Sequence, residues 1–423
     1  MRQISLPPGL ETECFILDSG ALAAVPGLCR EFFPGRRPWI VADGNTWEAA
    51  GKGVLNSLRE AGLTPAEPYL FPASPLLHAE NRHVDTLVAA MLPDAVPVAV
   101  GGGTVNDLVK RAAFVAGRRY LCVPTAASVD GFTSSGASLV KDGLKQTLPC
   151  PAPLALAADT DVLKAAPPEM AAAGYADLAA KIPAGADWLI VDTLGLEPVR
   201  PEVWQMVQPE LRDRLSEPAD LEKIFLGLAA TGYAMQLYRD SRPASGAEHL
   251  VSHVWEMEGI EASHGFKVGI GTLAVTAMMT EAFRLSAAEL HRVASPPSGP
   301  EEREREIAAL LSRGVYGDAA GIAMKKFLSG NELLERRSLI ASKWEQMGER
   351  VLRQLIPFHE MKRQFQRAGC PVHPAEIGLA RADFRDGFRR AQLIRKRYTV
   401  LDLAYEAGIL ELLLDRMEPY FKE

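Results

Sequence analysis

The sequence lacks a long apolar run and a recognisable targeting segment. The apolar stretch 269–279 is far shorter than the roughly 20 residues that a membrane-spanning helix needs. The first ten residues contain neither the basic start nor the apolar run of a signal peptide. We therefore expect a cytoplasmic protein without a membrane span.

Cysteine is scarce, and positive charge is not in excess. The five cysteines are dispersed without a CxxC pair, at Cys14, Cys29, Cys122, Cys150 and Cys370. This dispersion predicts reduced structural thiols, and neither disulfides nor thiolate metal ligands. The 53 acidic residues outnumber the 46 basic ones, which gives a net charge of −7. Without a basic patch, nucleic acid is not expected as a partner.

Short apolar runs alternate with amphipathic helical patterns over the first 165 residues or so. Strands are predicted at 13–17, 38–43, 95–102, 119–125 and 153–160. Continuous apolar strands separated by helices indicate a parallel sheet that is covered on both faces. From about residue 166 helix-forming residues dominate. We therefore predict an α/β domain over 1–165 and an all-helical domain over 166–423.

A glycine-rich turn follows the third predicted strand. Gly101, Gly102 and Gly103 precede Thr104 and Val105, where a helix is expected to begin. Glycines let the backbone approach a phosphate, and the free N–H groups of the following helix attract an anion. An ordinary strand-to-helix turn has the same composition, and the GxGxxG fingerprint is absent. The turn alone leaves both interpretations open.

Two further segments end predicted strands with polar residues. Asp43 is placed either to accept ribose hydroxyls of an adenosine moiety or to serve as a turn residue or helix N-cap. Residues 123–138 concentrate small and hydroxyl side chains. Such a segment predicts a loop at the carboxyl ends of the strands, where open α/β sheets bind ligands. A plain Ser/Thr loop is the alternative.

Three of the eight histidines fall within sixteen residues, and they suggest a metal site. His249 and His253 are four residues apart, so they share one face of a helix, and His264 follows. Asp177 lies in an apolar helical stretch where a carboxylate is out of place unless it is paired. One carboxylate with two imidazoles suits Zn²⁺, Ni²⁺ or Fe²⁺ with one coordination position open. A capping Asp and a surface His pair are the alternatives.

Five segments carry a more specific signal. They are GGGTVNDLVK (101–110), VPTAASVDGFTSSGASLVKDGLK (123–145), AGYADLAAK (173–181), SGAEHLVSH (245–253) and HGFKVGIGT (264–272). Together they resemble the glycerol-1-phosphate dehydrogenases of the iron-containing alcohol dehydrogenase and dehydroquinate synthase superfamily. The resemblance spans most of the chain from about residue 13 to 290. It implies the dehydroquinate synthase-like fold, in which an α/β NAD(P)-binding domain precedes an all-helical metal-binding domain.

The resemblance also implies a role for each matching residue. Asp177, His249 and His264 would bind the metal, whereas His253 and Asp130 would contact the substrate, as would Asp177. The residues implied to line NAD or NADP, with Asp43 as the ribose candidate, are Gly101, Gly102, Gly103, Thr104, Val105, Thr125, Ala126, Ala127, Ser128 and Ser134.

The implied reaction is the reversible reduction of glycerone phosphate (dihydroxyacetone phosphate) to sn-glycerol 1-phosphate by NADH or NADPH, a step of phospholipid metabolism. One divalent metal ion (zinc, nickel or iron) would act as the Lewis acid. The alternative is a glycerol or other polyol dehydrogenase of the same superfamily. Phe266 stands where glycerol dehydrogenases often have Glu, so the exact substrate is left open. We expect a homo-oligomer that acts on a phosphorylated triose.

Overall fold

The chain forms two compact units. The computed structural model describes residues 1–141, 144–295 and 299–422. One unit comprises 1–174 and 217–240, and the other comprises 175–216 and 241–423. The predicted domains, 1–165 and 166–423, stay a prediction, but 166–174 and 217–240 belong to the N-terminal unit by compactness. Residues 142 and 143, within one segment quoted above, lie outside the described residues.

A six-stranded parallel sheet forms the centre of the N-terminal unit. Its strand order is β1-β8-β5-β4-β2-β3, and β6 and β7 form a separate antiparallel hairpin. The strands are β1 (Cys14–Asp18), β2 (Arg37–Asp43), β3 (Tyr69–Phe71), β4 (Ala95–Gly101), β5 (Leu121–Pro124), β6 (Ala137–Lys141), β7 (Leu144–Leu148) and β8 (Ala155–Asp159).

The five predicted strands correspond to β1, β2, β4, β5 and β8, with bounds shifted by one or two residues. Every residue of β4 is buried, as expected for a strand that is covered on both faces. The short edge strand β3 and the β6–β7 hairpin were not predicted. The apolar run of β3 is only three residues long, and buried positions alternate with partly exposed ones along β6, so neither has the long apolar run that marks the other strands.

Helices make up most of the remaining structure. In chain order they are α1 (Val25–Phe32), α2 (Gly44–Thr46), α3 (Lys52–Glu60), α4 (Asn81–Ala90), α5 (Gly103–Val115), α6 (Thr160–Ala165), α7 (Pro168–Ala179), α8 (Lys181–Thr193), α9 (Pro201–Ser216), α10 (Leu221–Tyr238), α11 (Ala247–Met257), α12 (His264–Ala282), α13 (Ala287–Val293), α14 (Pro300–Leu310), α15 (Ala319–Lys326), α16 (Gly330–Gln354), α17 (Phe358–Ala368), α18 (Arg381–Ala391), α19 (Val400–Glu406) and α20 (Leu410–Met417). The boundary between the two units falls within α7.

The second unit is built around α12. This helix is apolar on nearly all sides, and most of its residues are buried against neighbours that include α11 and α20. Within the described residues, no single helix is long and apolar enough to cross a membrane. The helices α12 and α13 pass that test only as a pair, and they bend by 101° at the break between them.

Candidate functional site

Polar and glycine residues meet at the carboxyl edge of the parallel sheet. β4 pairs with both β2 and β5, so Asp43, Gly101 and Thr125 end or follow three adjacent strands. The backbone N–H of Thr125 donates to the Gly101 carbonyl oxygen at 3.1 Å. Asp43 caps α2, because its Oδ1 accepts from the N–H groups of Asn45 and Thr46 at 2.9 Å each. The N-cap role is therefore observed, and the ribose contact stays a prediction.

The three glycines of the turn differ in what surrounds them. A Cβ on Gly101 would lie 2.6 Å from the Val105 side chain, and one on Gly103 would lie 2.7 Å from Val129 Cγ2. Packing within the protein therefore requires glycine at both positions. A Cβ on Gly102 would meet nothing within 4 Å, and this residue is the N-cap of the 13-residue helix α5. The open space at Gly102 is where an anion can approach the helix N-terminus.

The predicted Ser/Thr loop is packed closely against its own unit. Ala126, Ala127 and Ser128 are buried, and a Cβ on Gly174 of α7 would lie 1.8 Å from the Ala127 carbonyl oxygen. The adjoining turn that contains Asp130 is fixed from the other side. There the buried Lys110 ammonium donates to the carbonyl oxygens of residues 131 and 136 at 2.8 and 2.9 Å.

Substitution at Gly102 separates cofactor binding from folding. Gly102 has φ −75° and ψ −174°, which an L-residue adopts without strain. We expect Gly102→Ala to leave the melting temperature nearly unchanged and to raise the Kd for NADH or NADPH by about tenfold or more. The added methyl group would hinder the contact between the backbone and the phosphate, and a loss of about 1.4 kcal/mol in binding free energy is enough for a tenfold change. Fluorescence titration measures the Kd. An unchanged Kd for both cofactors would contradict the assignment of this turn.

A second cluster of polar residues lies in the other unit. Asp177 of α7, His249 of α11 and His264 of α12 each offer one ligand atom, and these atoms all lie within 4.8 Å of one another. Among the described residues, these are the side chains placed to hold a metal ion together. Asp177 and His249 are buried, and His264 is partly exposed. His253 lies one turn after His249, with its ring centroid 6.1 Å from that of His264.

A buried lysine compensates the charge of Asp177. Lys181 Nζ lies 2.7 Å from Asp177 Oδ1, and both side chains are almost completely inaccessible. Burial acts to raise the pKa of Asp177, but the Lys181 ammonium and the His249 ring hold that pKa well below its usual range. Although burial acts to lower it, hydrogen bonds to Asp177 and Glu248 raise the pKa of the His249 imidazole. The cluster therefore combines an ionised carboxylate with an imidazole whose pKa is raised.

Carboxylate oxygens lie near the ring nitrogens of His249 and His264. His249 Nε2 lies 3.4 Å from Asp177 Oδ1, and Nδ1 lies 2.8 Å from Glu248 Oε1. His264 Nδ1 is buried and makes no hydrogen bond to a described residue, although Glu256 Oε2 lies 3.9 Å away. A buried imidazole nitrogen without a hydrogen-bond partner is costly unless a ligand satisfies it. This feature fits a metal-binding role.

Lys181 provides a test of the charge balance in this cluster. Because Lys181→Met removes the cation beside the buried Asp177, we expect it to destabilise the metal-free chain by about 3 kcal/mol or more. A bound divalent cation would replace the missing charge, so Zn²⁺ should raise the melting temperature of this variant more than that of the parent. Thermal melts with and without Zn²⁺ measure the difference. Equal shifts for both proteins would contradict the expectation.

Sequence comparisons place the chain among known proteins. Residues 16–167 match the model of a family described as iron-containing alcohol dehydrogenase. The chain is 39% identical over 248 residues to the glycerol-1-phosphate dehydrogenase (NAD(P)+) of Bacillus velezensis, which covers 55% of this chain and 63% of that protein. The protein of the same name from Bacillus licheniformis is 31% identical over 392 residues, which covers 89% of this chain and 84% of that protein. The chain belongs to the glycerol-1-phosphate dehydrogenase family.

Solved structures agree on the fold of this family member. A probable glycerol dehydrogenase from Sinorhizobium meliloti 1021 aligns with a TM-score of 0.61 at 15% identity, over 97% of this chain and 96% of that one. An NADH-dependent butanol dehydrogenase from Thermotoga maritima aligns with a TM-score of 0.59 at 15% identity, over 99% of both chains. The predicted fold class and the resemblance to the family are confirmed.

The structure brings together the three predicted metal ligands of this family member. His253 is not part of that group, although its ring lies beside that of His264. The roles of these residues, and those of the predicted cofactor and substrate residues, stay predictions. Two charged residues at the cluster, Lys181 and Glu248, were missed from the sequence. Lys181 follows Asp177 by four residues, a spacing that places two side chains on one helix face and could have revealed it. Glu248 directly precedes His249, and only the three-dimensional contact identifies it.

Proposed function

We propose that the chain catalyses the reversible reduction of glycerone phosphate to sn-glycerol 1-phosphate with NADH or NADPH, at a divalent metal ion held by Asp177, His249 and His264. The observation that carries this proposal is the close approach of these three ligand atoms, within 4.8 Å, in a chain of this family. Relatives named glycerol-1-phosphate dehydrogenase (NAD(P)+) support the choice of reaction and cofactor.

The donor set fits one borderline divalent cation, and we propose zinc or nickel, with iron as the third candidate. One carboxylate and two imidazoles leave a coordination position open, as catalytic metal sites require. When bound, such an ion supplies Lewis-acid catalysis by polarising the C2 carbonyl of the substrate. Asp177 lies on α7 and His249 on α11, and both side chains are buried.

The remaining side chains bind the substrate and handle its proton. His253 follows His249 by one helical turn and lies beside His264, so its imidazole can orient a hydroxyl and return a proton to the product oxygen. We assign Asp130 a contact to a substrate hydroxyl, as the family pattern implies. Residues 101–105, 125–128 and 134 would hold NAD(P), with the N-terminus of α5 facing its pyrophosphate and the bound cofactor supplying the hydride.

The competing function is a glycerol or other polyol dehydrogenase of the same superfamily. A comparison of kcat/KM for glycerone phosphate and for unphosphorylated glycerone, each with NADH and with NADPH, decides between them. We expect glycerone phosphate to be preferred by about 100-fold or more, because a phosphate group gains charge-assisted hydrogen bonds that a hydroxyl lacks. Equal or faster reduction of unphosphorylated glycerone would assign the chain to the polyol dehydrogenases.

Metal binding should depend on pH. The raised pKa of His249 means that a proton must leave this imidazole before the nitrogen can bind the ion. We expect Zn²⁺ affinity to increase with pH and to level off above the pKa of His249, with a slope of about tenfold per pH unit for each proton released. Calorimetric titrations at several pH values measure the affinity. A pH-independent affinity would contradict the proposed role of His249.

The finer biological setting follows from the same proposal. An sn-glycerol 1-phosphate producer supplies a backbone for phospholipid metabolism, so we propose that role, together with a cytoplasmic location and homo-oligomeric assembly. Size-exclusion chromatography with light scattering tests the assembly, and a purely monomeric protein would contradict it.

A further inference from the structure

The carboxylate of Glu248 lies against the side of His249 that faces away from Asp177. Glu248 Oε1 is 2.8 Å from His249 Nδ1, whereas His249 Nε2 faces Asp177 Oδ1 at 3.4 Å. An ionised carboxylate can only accept hydrogen bonds, so a contact this short requires the proton on Nδ1. The lone pair of the neutral ring is then on Nε2, directed toward the cluster of Asp177 and His264.

The position of Glu248 is fixed by the backbone at the start of α11. Its Oε1 also accepts from the N–H of Gly246 at 2.7 Å, and the side chain is fully buried. A Cβ at residue 246 would lie 2.8 Å from Glu248 Oε2 and 2.4 Å from Asp187 Oδ2, so glycine provides the space that the carboxylates occupy. Burial of a carboxylate is unfavourable unless hydrogen bonds compensate it, and the two contacts of Oε1 provide such compensation.

We propose that Glu248 is a positioning residue of the metal centre: its carboxylate holds the His249 ring with Nδ1 protonated and Nε2 directed at the metal ion. Hydrogen bonds from ligating imidazoles to carboxylates fix the ring and raise its basicity as a ligand. This inference rests on the proposed metal site. It goes beyond that site because Glu248 would not itself bind the metal, the cofactor or the substrate.

A second buried carboxylate, that of Asp187, anchors the start of α11 without contacting a proposed ligand. Asp187 of α8 accepts from the N–H of Ala247 at 2.7 Å and from the N–H of Val400 at 2.6 Å. It thereby connects the first turn of α11 to α8 and α19. Burial, together with repulsion from Glu248, raises the pKa of Asp187 to about 8. Of these two carboxylates, Glu248 is the one within hydrogen-bond distance of a proposed ligand.

The test compares Zn²⁺ affinity of the metal-free full chain with that of Glu248→Gln and Glu248→Ala, by competition with a chromophoric chelator. We expect Glu248→Ala to bind Zn²⁺ about 10- to 100-fold more weakly. Glu248→Gln should lie between Glu248→Ala and the parent, because its amide oxygen can keep both hydrogen bonds without the negative charge. The absorption spectrum of the Co²⁺-loaded chain provides a second measurement, since altered ligand geometry changes it and a merely structural role would not.

Glu258→Gln is the matched control. Glu258 caps the other end of α11, its side chain is buried, and it forms ion pairs with Arg390 and Arg313 at 2.8 and 3.3 Å. This substitution also replaces a buried carboxylate by an amide, but away from the proposed ligands. We expect it to lower the melting temperature and to leave both the Zn²⁺ affinity and the Co²⁺ spectrum unchanged.

The outcomes distinguish this inference from the proposed function. If the parent binds one equivalent of Zn²⁺ and both Glu248 variants bind it equally well, Glu248 only caps the helix and the inference is overturned. If Glu248→Ala does not fold, the comparison of Glu248→Gln with the parent decides. If the parent itself does not bind Zn²⁺, Ni²⁺ or Fe²⁺, the metal centre fails and the inference fails with it.

Discussion

Asp177→Asn will reduce turnover by at least about 1,000-fold, which corresponds to about 4 kcal/mol of lost transition-state stabilisation. The amide keeps the volume of the side chain but offers the metal a neutral ligand. It also leaves the buried Lys181 ammonium, 2.7 Å from Oδ1 in the parent, without its counter-charge. We therefore expect weaker metal binding together with the loss of activity. Steady-state kinetics and metal analysis of the purified variant measure both.

Asp192→Asn is the matched control for that substitution. Asp192 lies on α8, where it forms an ion pair with Arg350 at 2.6 Å and accepts from the N–H of Val199 at 2.9 Å. The change removes one carboxylate charge from the same unit without touching the cluster. We expect this variant to be modestly less stable than the parent and to bind as much metal as the parent does. If both variants lost activity equally, the effect would be global and not a property of the metal centre.

Gly174→Ala will destabilise the N-terminal unit and weaken cofactor binding. The added Cβ would lie 1.8 Å from the Ala127 carbonyl oxygen and 3.2 Å from Ser128 Cα. Both neighbours are backbone atoms, so no side chain can rotate away, and either α7 or the loop must move. We expect a loss of at least about 1–3 kcal/mol in the free energy of unfolding, as for other overpacked sites. Because Ala127 and Ser128 are predicted to line NAD(P), the Kd for the cofactor should also rise.

Gly27→Ala separates the steric effect from the nature of the substitution. Gly27 lies in α1 of the same unit, is exposed, and would place its Cβ in open space. Alanine is favoured over glycine within helices by up to about 1 kcal/mol, so this variant should be slightly more stable than the parent. Urea unfolding measures the change in the free energy of unfolding for each variant, and the two changes should have opposite signs. A Gly174→Ala variant as stable as the parent would show that α7 does not approach the loop this closely.

The sequence predicts those features that leave a local signal. The strands β1, β2, β4, β5 and β8 are predictable because a strand that is buried on both faces appears as a continuous apolar run. The hairpin of β6 and β7 is not, since it has no continuous apolar run: buried and partly exposed residues alternate along β6, and β7 contains Lys145, Gln146 and Thr147. The assignment of α10 to the N-terminal unit depends on tertiary packing, which composition does not encode.

The proposed metal ligands show the same division. Asp177 is predictable as a ligand because it is an isolated carboxylate in an apolar helix, and the histidines are predictable because they lie close together in the sequence. Sequence spacing alone does not decide whether His253 or His264 is the second histidine ligand. The family resemblance favours His264, and the structure groups His264 with Asp177 and His249. Lys181 is indicated only by its spacing of four residues from Asp177, and Glu248 leaves no distinctive pattern, because charged residues on helices are usually solvated. Their complete burial becomes evident only in the structure.

The most direct test of the proposed function follows the oxidation of NADH and NADPH with glycerone phosphate, using the full chain after chelation and after readdition of one equivalent of Zn²⁺, Ni²⁺ or Fe²⁺. We predict that chelation abolishes the reaction and that at least one of these ions restores it. If no ion restored the oxidation, or if the chelated chain were fully active, the result would contradict a reaction that depends on a metal ion held by Asp177, His249 and His264.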